Sequence, residues 1–149
     1  MTKLTEHFAL EEFIDSQTAA RRGIDNAPSP KELKNLQRTA ETMEKVRDIL
    51  NNRPILISSG YRNHWLNSAV GGSKNSAHTH GLAVDFSCPD FGAPLDICKA
   101  LEPHMKALGV DQLIHEYEAW VHIGLRDAPR HQALTIDTKG TRHGFRGED

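Results

Sequence analysis

QLIHEYEAWVHIGL, residues 112–125, decides the fold. Residues 112–116 and 120–125 read as two strands, and Tyr117 to Ala119 read as the tight turn between them. Strands that adjoin across so short a link pair antiparallel, because a parallel pair needs a crossover of about a dozen residues or more. Working outward, residues 55–59 (ILISS) and 82–86 (LAVDF) are short apolar runs bounded by glycine, so each is expected to be a strand. Residues 133–136 are expected to add another. Helical spacing of Leu33, Leu36, Ala40, Met43, Val46 and Leu50 predicts a helix over 30–50. Ser29 is its expected cap, Pro30 its first residue and Glu32 the acid that reaches back. A second amphipathic helix is expected over 94–108, a short one over 63–70, and one or two helical turns within 8–20. The order of elements predicts an α+β fold, with a mainly antiparallel central sheet flanked by helices.

The length of 149 residues suits one domain, 1–149, with a polar stretch at 138–149 expected to be a flexible tail. Hydrophobic residues at 38% and charged residues at 26% exclude a disordered chain, a collagen-like fibre and a coiled-coil rod. A net charge of −2 excludes a strongly basic nucleic-acid footprint, so no nucleic-acid partner is expected. The first residues carry acids where a signal peptide needs an apolar stretch, and no run reaches the ~20 residues of a membrane span. The expectation is a protein that is cytoplasmic as synthesised, without a membrane anchor, and monomeric. Cys88 and Cys98 make no disulfide scaffold and are expected as buried free thiols.

Nine histidines stand out against two tryptophans and two tyrosines, which directs attention to metal and acid–base chemistry. Three segments concentrate such side chains: residues 58–62 (SSGYR), 76–85 (SAHTHGLAVD) and 115–124 (HEYEAWVHIG). On the strand at 82–86, Leu82, Val84 and Phe86 face one way and Asp85 the other. A carboxylate in mid-strand among apolar neighbours needs a cation, a metal or hydrogen-bond donors. His122 alternates with Val121 and Ile123. If Tyr117 to Ala119 make the turn, Glu116 falls roughly across from Trp120 and on the His122 face, whereas Glu118 lies in the turn. Two histidines and one aspartate around an open position form a catalytic zinc set, although other divalent metals suit the same donors.

Taken together these segments resemble the zinc D,D-carboxypeptidase/endopeptidase family of peptidoglycan hydrolases, the M15 peptidases, and in particular a subgroup found in bacteria and as phage lysis enzymes. The family pattern Ser-x-His-x-x-Gly-x-Ala-x-Asp is met by Ser76, His78, Gly81, Ala83 and Asp85. Upstream stand Ser59-Gly60-Tyr61-Arg62, Asn67 and Gly71-Gly72-Ser73, and later Trp120-Val121-His122. The likeness runs over residues 5–126. It implies one Zn2+ held by His78, Asp85 and His122, and a substrate anion or polarised carbonyl held by Arg62. It implies bacterial peptidoglycan as the partner, a stem or cross-bridge amide as the bond cut, and a phage or prophage lysis setting. Several relatives carry an acid three residues before the last histidine, and the sequence departs there with Ala119; the general base expected instead is Glu116, six residues before His122 as in the more similar subgroup, with Glu118 as the alternative. Tyr61, Ser76, His80 and Trp120 are expected to line the substrate cleft. A competing reading keeps the fold as an inactive wall-binding or virion module.

Overall fold

The computed structural model describes residues 2–147. Helices α1 (Leu10–Ile14) and α2 (Gln17–Arg22) precede the long α3 (Pro30–Ile49). Then come β1 (Leu56–Ser59), α4 (His64–Ala69), a 3-10 turn (Ala77–His80) and β2 (Ala83–Ser87). Helix α5 (Pro94–Leu101), a second 3-10 turn (Glu102–His104) and α6 (Met105–Leu108) lead into β3 (Val110–Glu116), β4 (Trp120–Leu125), β5 (Gln132–Asp137) and β6 (Gly140–His143).

The six strands form one sheet in the order β1-β2-β4-β3-β5-β6. All neighbours pair antiparallel except β3 and β5, which run parallel with β4 between them in sequence. This is the α+β architecture expected from residues 112–125. One helix differs from expectation: the apolar pattern over 94–108 is cut into α5 and α6. Pro103 lacks the N–H a continuous helix needs at that point, so the chain tightens into a 3-10 turn there. Within the expected tail at 138–149, residues 148–149 lie outside the described residues, and Gly140–His143 turn back as β6 instead of hanging loose. Its hairpin is closed by Lys139 N donating to Asp137 Oδ1 at 2.9 Å and by an Arg142–Asp137 ion pair. Polar side chains hide this strand because its stabilisation comes from the β5 ladder rather than from apolar burial.

The core lies on the sheet face that carries Val84, Phe86, Leu113, Val121 and Ile123. They join Leu36, Met43 and Val46 of α3 and Ile97 and Leu101 of α5 in one cluster. Each such side chain contributes about 1.5–3 kcal/mol by leaving water. Cys88 and Cys98 are buried and free, and burial pushes the Cys98 thiol up to about 12.

The expected cap of α3 forms, with Ser29 Oγ accepting from Glu32 N at 3.4 Å. The same helix then braces the loops of the opposite layer. Glu32 accepts from the Tyr61 hydroxyl at 3.0 Å, Asn35 donates to His80 O at 2.8 Å, and Thr39 donates to Gly81 O at 2.7 Å. Gly81 sits at φ +74 with its α-carbon so close to α3 that a Cβ would come within 2.9 Å of Glu32 O. Only glycine serves there.

Buried Asn26 ties three segments together. Its Nδ2 donates to Ile14 O at 3.0 Å and Tyr61 O at 2.9 Å, and its Oδ1 accepts from Asn63 N at 2.9 Å. Asn26→Ala is expected to cost about 2–3 kcal/mol, read from urea unfolding, because buried backbone groups lose their partners.

Asp111 holds Arg130 through the backbone N at 2.8 Å, Nε at 2.9 Å and Nη2 at 2.7 Å, which pins the link between β4 and β5. These bonds hold the Asp111 carboxyl below the usual carboxylate range. A depressed folded pKa contributes stability above the unfolded value of about 3.9 and loses it as pH falls through the folded value. Asp111→Asn is therefore expected to lower the melting temperature at neutral pH, with the gap from wild type closing in that acidic window.

Candidate metal centre

Asp85 and His122 face each other across the β2–β4 ladder, in register, and both point away from the core. Their alternation with Val84, Phe86, Val121 and Ile123 is the period-two pattern of a strand with one buried face. His122 Nδ1 lies 2.9 Å from Asp85 Oδ1. The third member, His78, comes from the 3-10 turn, and its Nε2 lies 3.3 Å from the same oxygen. One donor atom from each of the three falls within 4.8 Å of the others.

The turn that delivers His78 is built locally. Ser76 Oγ caps it by accepting from His78 N at 3.2 Å. His78 is buried, and its Nδ1 contacts Gly60 O at 2.7 Å. A carbonyl can only accept, so the proton sits on Nδ1 and the Nε2 lone pair is left facing Asp85. This is the outer hydrogen bond that orients a metal-ligating histidine. Gly60 itself is wedged against α1: a Cβ there would lie 2.5 Å from Phe13 O. Gly60→Ala must shift the carbonyl that aims His78, and is expected to lower metal affinity by about 10–100-fold in a chelator competition.

The donor set fits a divalent metal. Two imidazole nitrogens and one carboxylate oxygen converge, the histidine tautomer is set, and the group is nearly shielded from water. Burial opposes ionisation of Asp85, but His122 and His78 outweigh it and hold the carboxyl well below the usual range. Burial holds His78 down, towards the neutral form that ligates.

Glu116 pairs with Trp120 across the hairpin and shares the His122 face. Its Oε1 stands 3.9 Å from His122 Nδ1. Burial pushes its carboxyl up; Asp85 adds to this, while His122 and Arg62 pull the other way. Tyr117 and Glu118 form the turn with φ of 52 and 54, a left-handed geometry unusual for these residue types. Glu118 is exposed there, and Ala119 is exposed beside it.

Arg62 is half-buried next to this acidic pair, and burial lowers its pKa while Asp85 and Glu116 favour its charge. Its Nε is buried without a hydrogen-bond partner, and Arg62 lines a cavity of about 700 Å3 together with Ser59, Gly60 and Tyr61. The Tyr61 side chain is buried and its hydroxyl is taken by Glu32, so this residue packs as well as lining that cavity. His80 is exposed and stands outside the donor group. His115 faces away, buried, with Nδ1 3.1 Å from Arg146 O. Trp120 is half-buried against Tyr117, with ring centroids 5.6 Å apart. Sequence reasoning passed over two residues that build this site, Asn26 and the wedge role of Gly60. Nothing in their local pattern signals contacts with segments so distant in the chain.

A family model described as Peptidase M15 matches residues 6–124. No curated protein matches the chain.

Proposed function

The chain belongs to the peptidase M15 family, and on that premise we propose that it is a zinc-dependent peptidase hydrolysing an amide in the stem or cross-bridge peptide of bacterial peptidoglycan. The observation that carries this reading is Glu116, a half-buried acid 3.9 Å from His122 on the same sheet face as the donor group. His78 Nε2, Asp85 Oδ1 and His122 Nδ1 would hold the zinc. When bound, zinc supplies a Lewis acid for the scissile carbonyl and a water of lowered pKa.

The chain's own residues supply the remainder. Glu116 takes the proton of the attacking water on a carboxylate oxygen and returns it to the departing amine. Its environment suits both halves of that task, since burial raises its proton affinity while His122 and Arg62 keep the ionised form accessible. Arg62 turns its guanidinium to the developing oxyanion or to a substrate carboxylate, and either would satisfy its unpartnered Nε. Burial of the donor group against β2 and β4 keeps bulk water from competing for the reacting atoms.

The test is mass spectrometry of muropeptides released from purified sacculi by wild type and by His78→Ala, with and without chelator. New fragments made by wild type alone and lost with chelator are expected, and their masses name the bond. A zinc-loaded wild type that leaves every wall chemotype intact would overturn the proposal in favour of an inactive binding module.

A further inference from the structure

A second cavity, of about 590 Å3, opens on the side of His122 away from Glu116. Along β4 the order is Trp120, which pairs with Glu116, then His122, then Gly124. Glu116 is not among the residues that line the cavity. His122 forms one wall of it, and Gln112, Ile114, Arg126 and Arg130 form others. Gly124 keeps the passage open beneath the ring: a Cβ there would lie 3.3 Å from His122 Nε2 and 4.0 Å from the Ala77 methyl. One imidazole therefore faces the donor group with Nδ1 and borders the cavity with its other edge.

The two arginines in this cavity differ. Arg130 is committed to Asp111 by three hydrogen bonds. Arg126 is exposed, and among the described residues its guanidinium has no carboxylate within 4.0 Å. Its backbone is held in place, because Arg38 donates to Arg126 O at 3.3 Å. Asp111 also borders the cavity and feels the Arg126 charge, but its oxygens are taken by Arg130. A guanidinium with no carboxylate at contact distance, on a positioned backbone and in the wall of a cavity that shares a ring with the reacting centre, is placed to receive an anion. Arg126 lies four steps along the chain from His122, just past the end of β4, roughly 13 Å of extended chain, and an arginine side chain shortens that gap. An extended substrate would reach Arg126 about two residues from the scissile bond.

We infer that this cavity is a substrate subsite and that Arg126 binds a free carboxylate of the stem peptide, on the opposite side of the scissile bond from Arg62. The inference rests on the peptidoglycan reading above. Stem peptides carry free carboxylates at γ-linked glutamate and at diamino dicarboxylic acids, so the chemistry required is present in that substrate class. The subsite makes the cleft selective for stems whose carboxylates are not amidated.

The experiment compares one synthetic stem peptide carrying all its free carboxylates with the same peptide fully amidated. Dissociation constants are measured by calorimetry on zinc-loaded Glu116→Gln, alone and combined with Arg126→Ala or Arg126→Glu, and kcat/KM is measured on the parent and single Arg126 variants. Arg126→Ala is expected to cut the preference for the free-carboxylate peptide on the order of tenfold, and Arg126→Glu to turn it towards the amidated one. A preference unchanged by either substitution, or no binding of either peptide, overturns the subsite. If binding discriminates as expected but the parent cleaves neither peptide nor sacculi, the peptidase reading fails and the subsite stands.

Discussion

Glu116→Gln is expected to lower kcat by about 10²–10⁴-fold while leaving zinc bound and the fold intact. The substitution keeps the shape of a half-buried side chain and removes only its capacity to take a proton. Its effect on stability follows from the direction of the pKa shift. Burial raises the Glu116 carboxyl above its ordinary value. An acid whose folded pKa is raised favours the protonated state on folding, so its ionised form costs stability above that pKa. The metal-free Gln variant should therefore melt no lower than metal-free wild type. Activity and stability move in opposite senses, which separates loss of a base from loss of a fold. Glu118→Gln is the companion measurement: Glu118 lies exposed in the turn, and its replacement is expected to leave kcat within a few-fold. If Glu118→Gln is the silent enzyme and Glu116→Gln is active, the base has been misassigned.

The second large effect concerns Asp85. Both histidine donor atoms lie against its Oδ1, at 2.9 and 3.3 Å. Asp85→Asn keeps the volume but removes the anion on which both imidazoles converge. Changes to outer partners of a metal site cost about 10–100-fold in affinity, and loss of a ligand charge should exceed that. Metal analysis after dialysis is expected to give one zinc per chain for wild type and Glu116→Gln, and none for Asp85→Asn. The thermal readout should agree. A ligand at 1,000 times its Kd stabilises the folded state by about 4 kcal/mol, so zinc should raise the melting temperature of the first two proteins and not of the third. Retention of stoichiometric zinc by Asp85→Asn would place the metal elsewhere.

The cleft shows why these two acids, Asp85 on β2 and Glu116 on β3, behave so differently. Asp85 is flanked by His78 and His122 and is held ionised. Glu116 stands one step out, close to His122 but also near the Asp85 charge, and is pushed towards protonation. Two carboxyls with pKa values driven apart by their surroundings are fit for two roles, ligand and base.

Much of this was legible before any coordinates. Alternation placed Asp85 opposite Val84 and Phe86, and His122 opposite Val121 and Ile123, because strand parity is a local property of the backbone. The short link at residues 117–119 forced an antiparallel hairpin for the same reason, and with it the Glu116–Trp120 pairing. Other features were less accessible. The break at Pro103 was written in the sequence and outweighed by a strong apolar period. Strand β6 has no apolar signal, since it is held by a ladder and an ion pair.

The sequence by itself determined which side chains could act and which face of its strand each would take. Only the tertiary structure decided that they meet. The β2–β4 register brings Asp85 to His122, α3 braces the turn that carries His78, and the Gly60 carbonyl sets its tautomer. The cavity walled by Arg126 likewise exists only once β3, β4 and the 73–80 loop are assembled. The physical reason is range. Dihedral preference and side-chain parity act between neighbours in the chain, whereas donor convergence, burial and electrostatic coupling depend on segments distant in sequence that are brought together when the core forms.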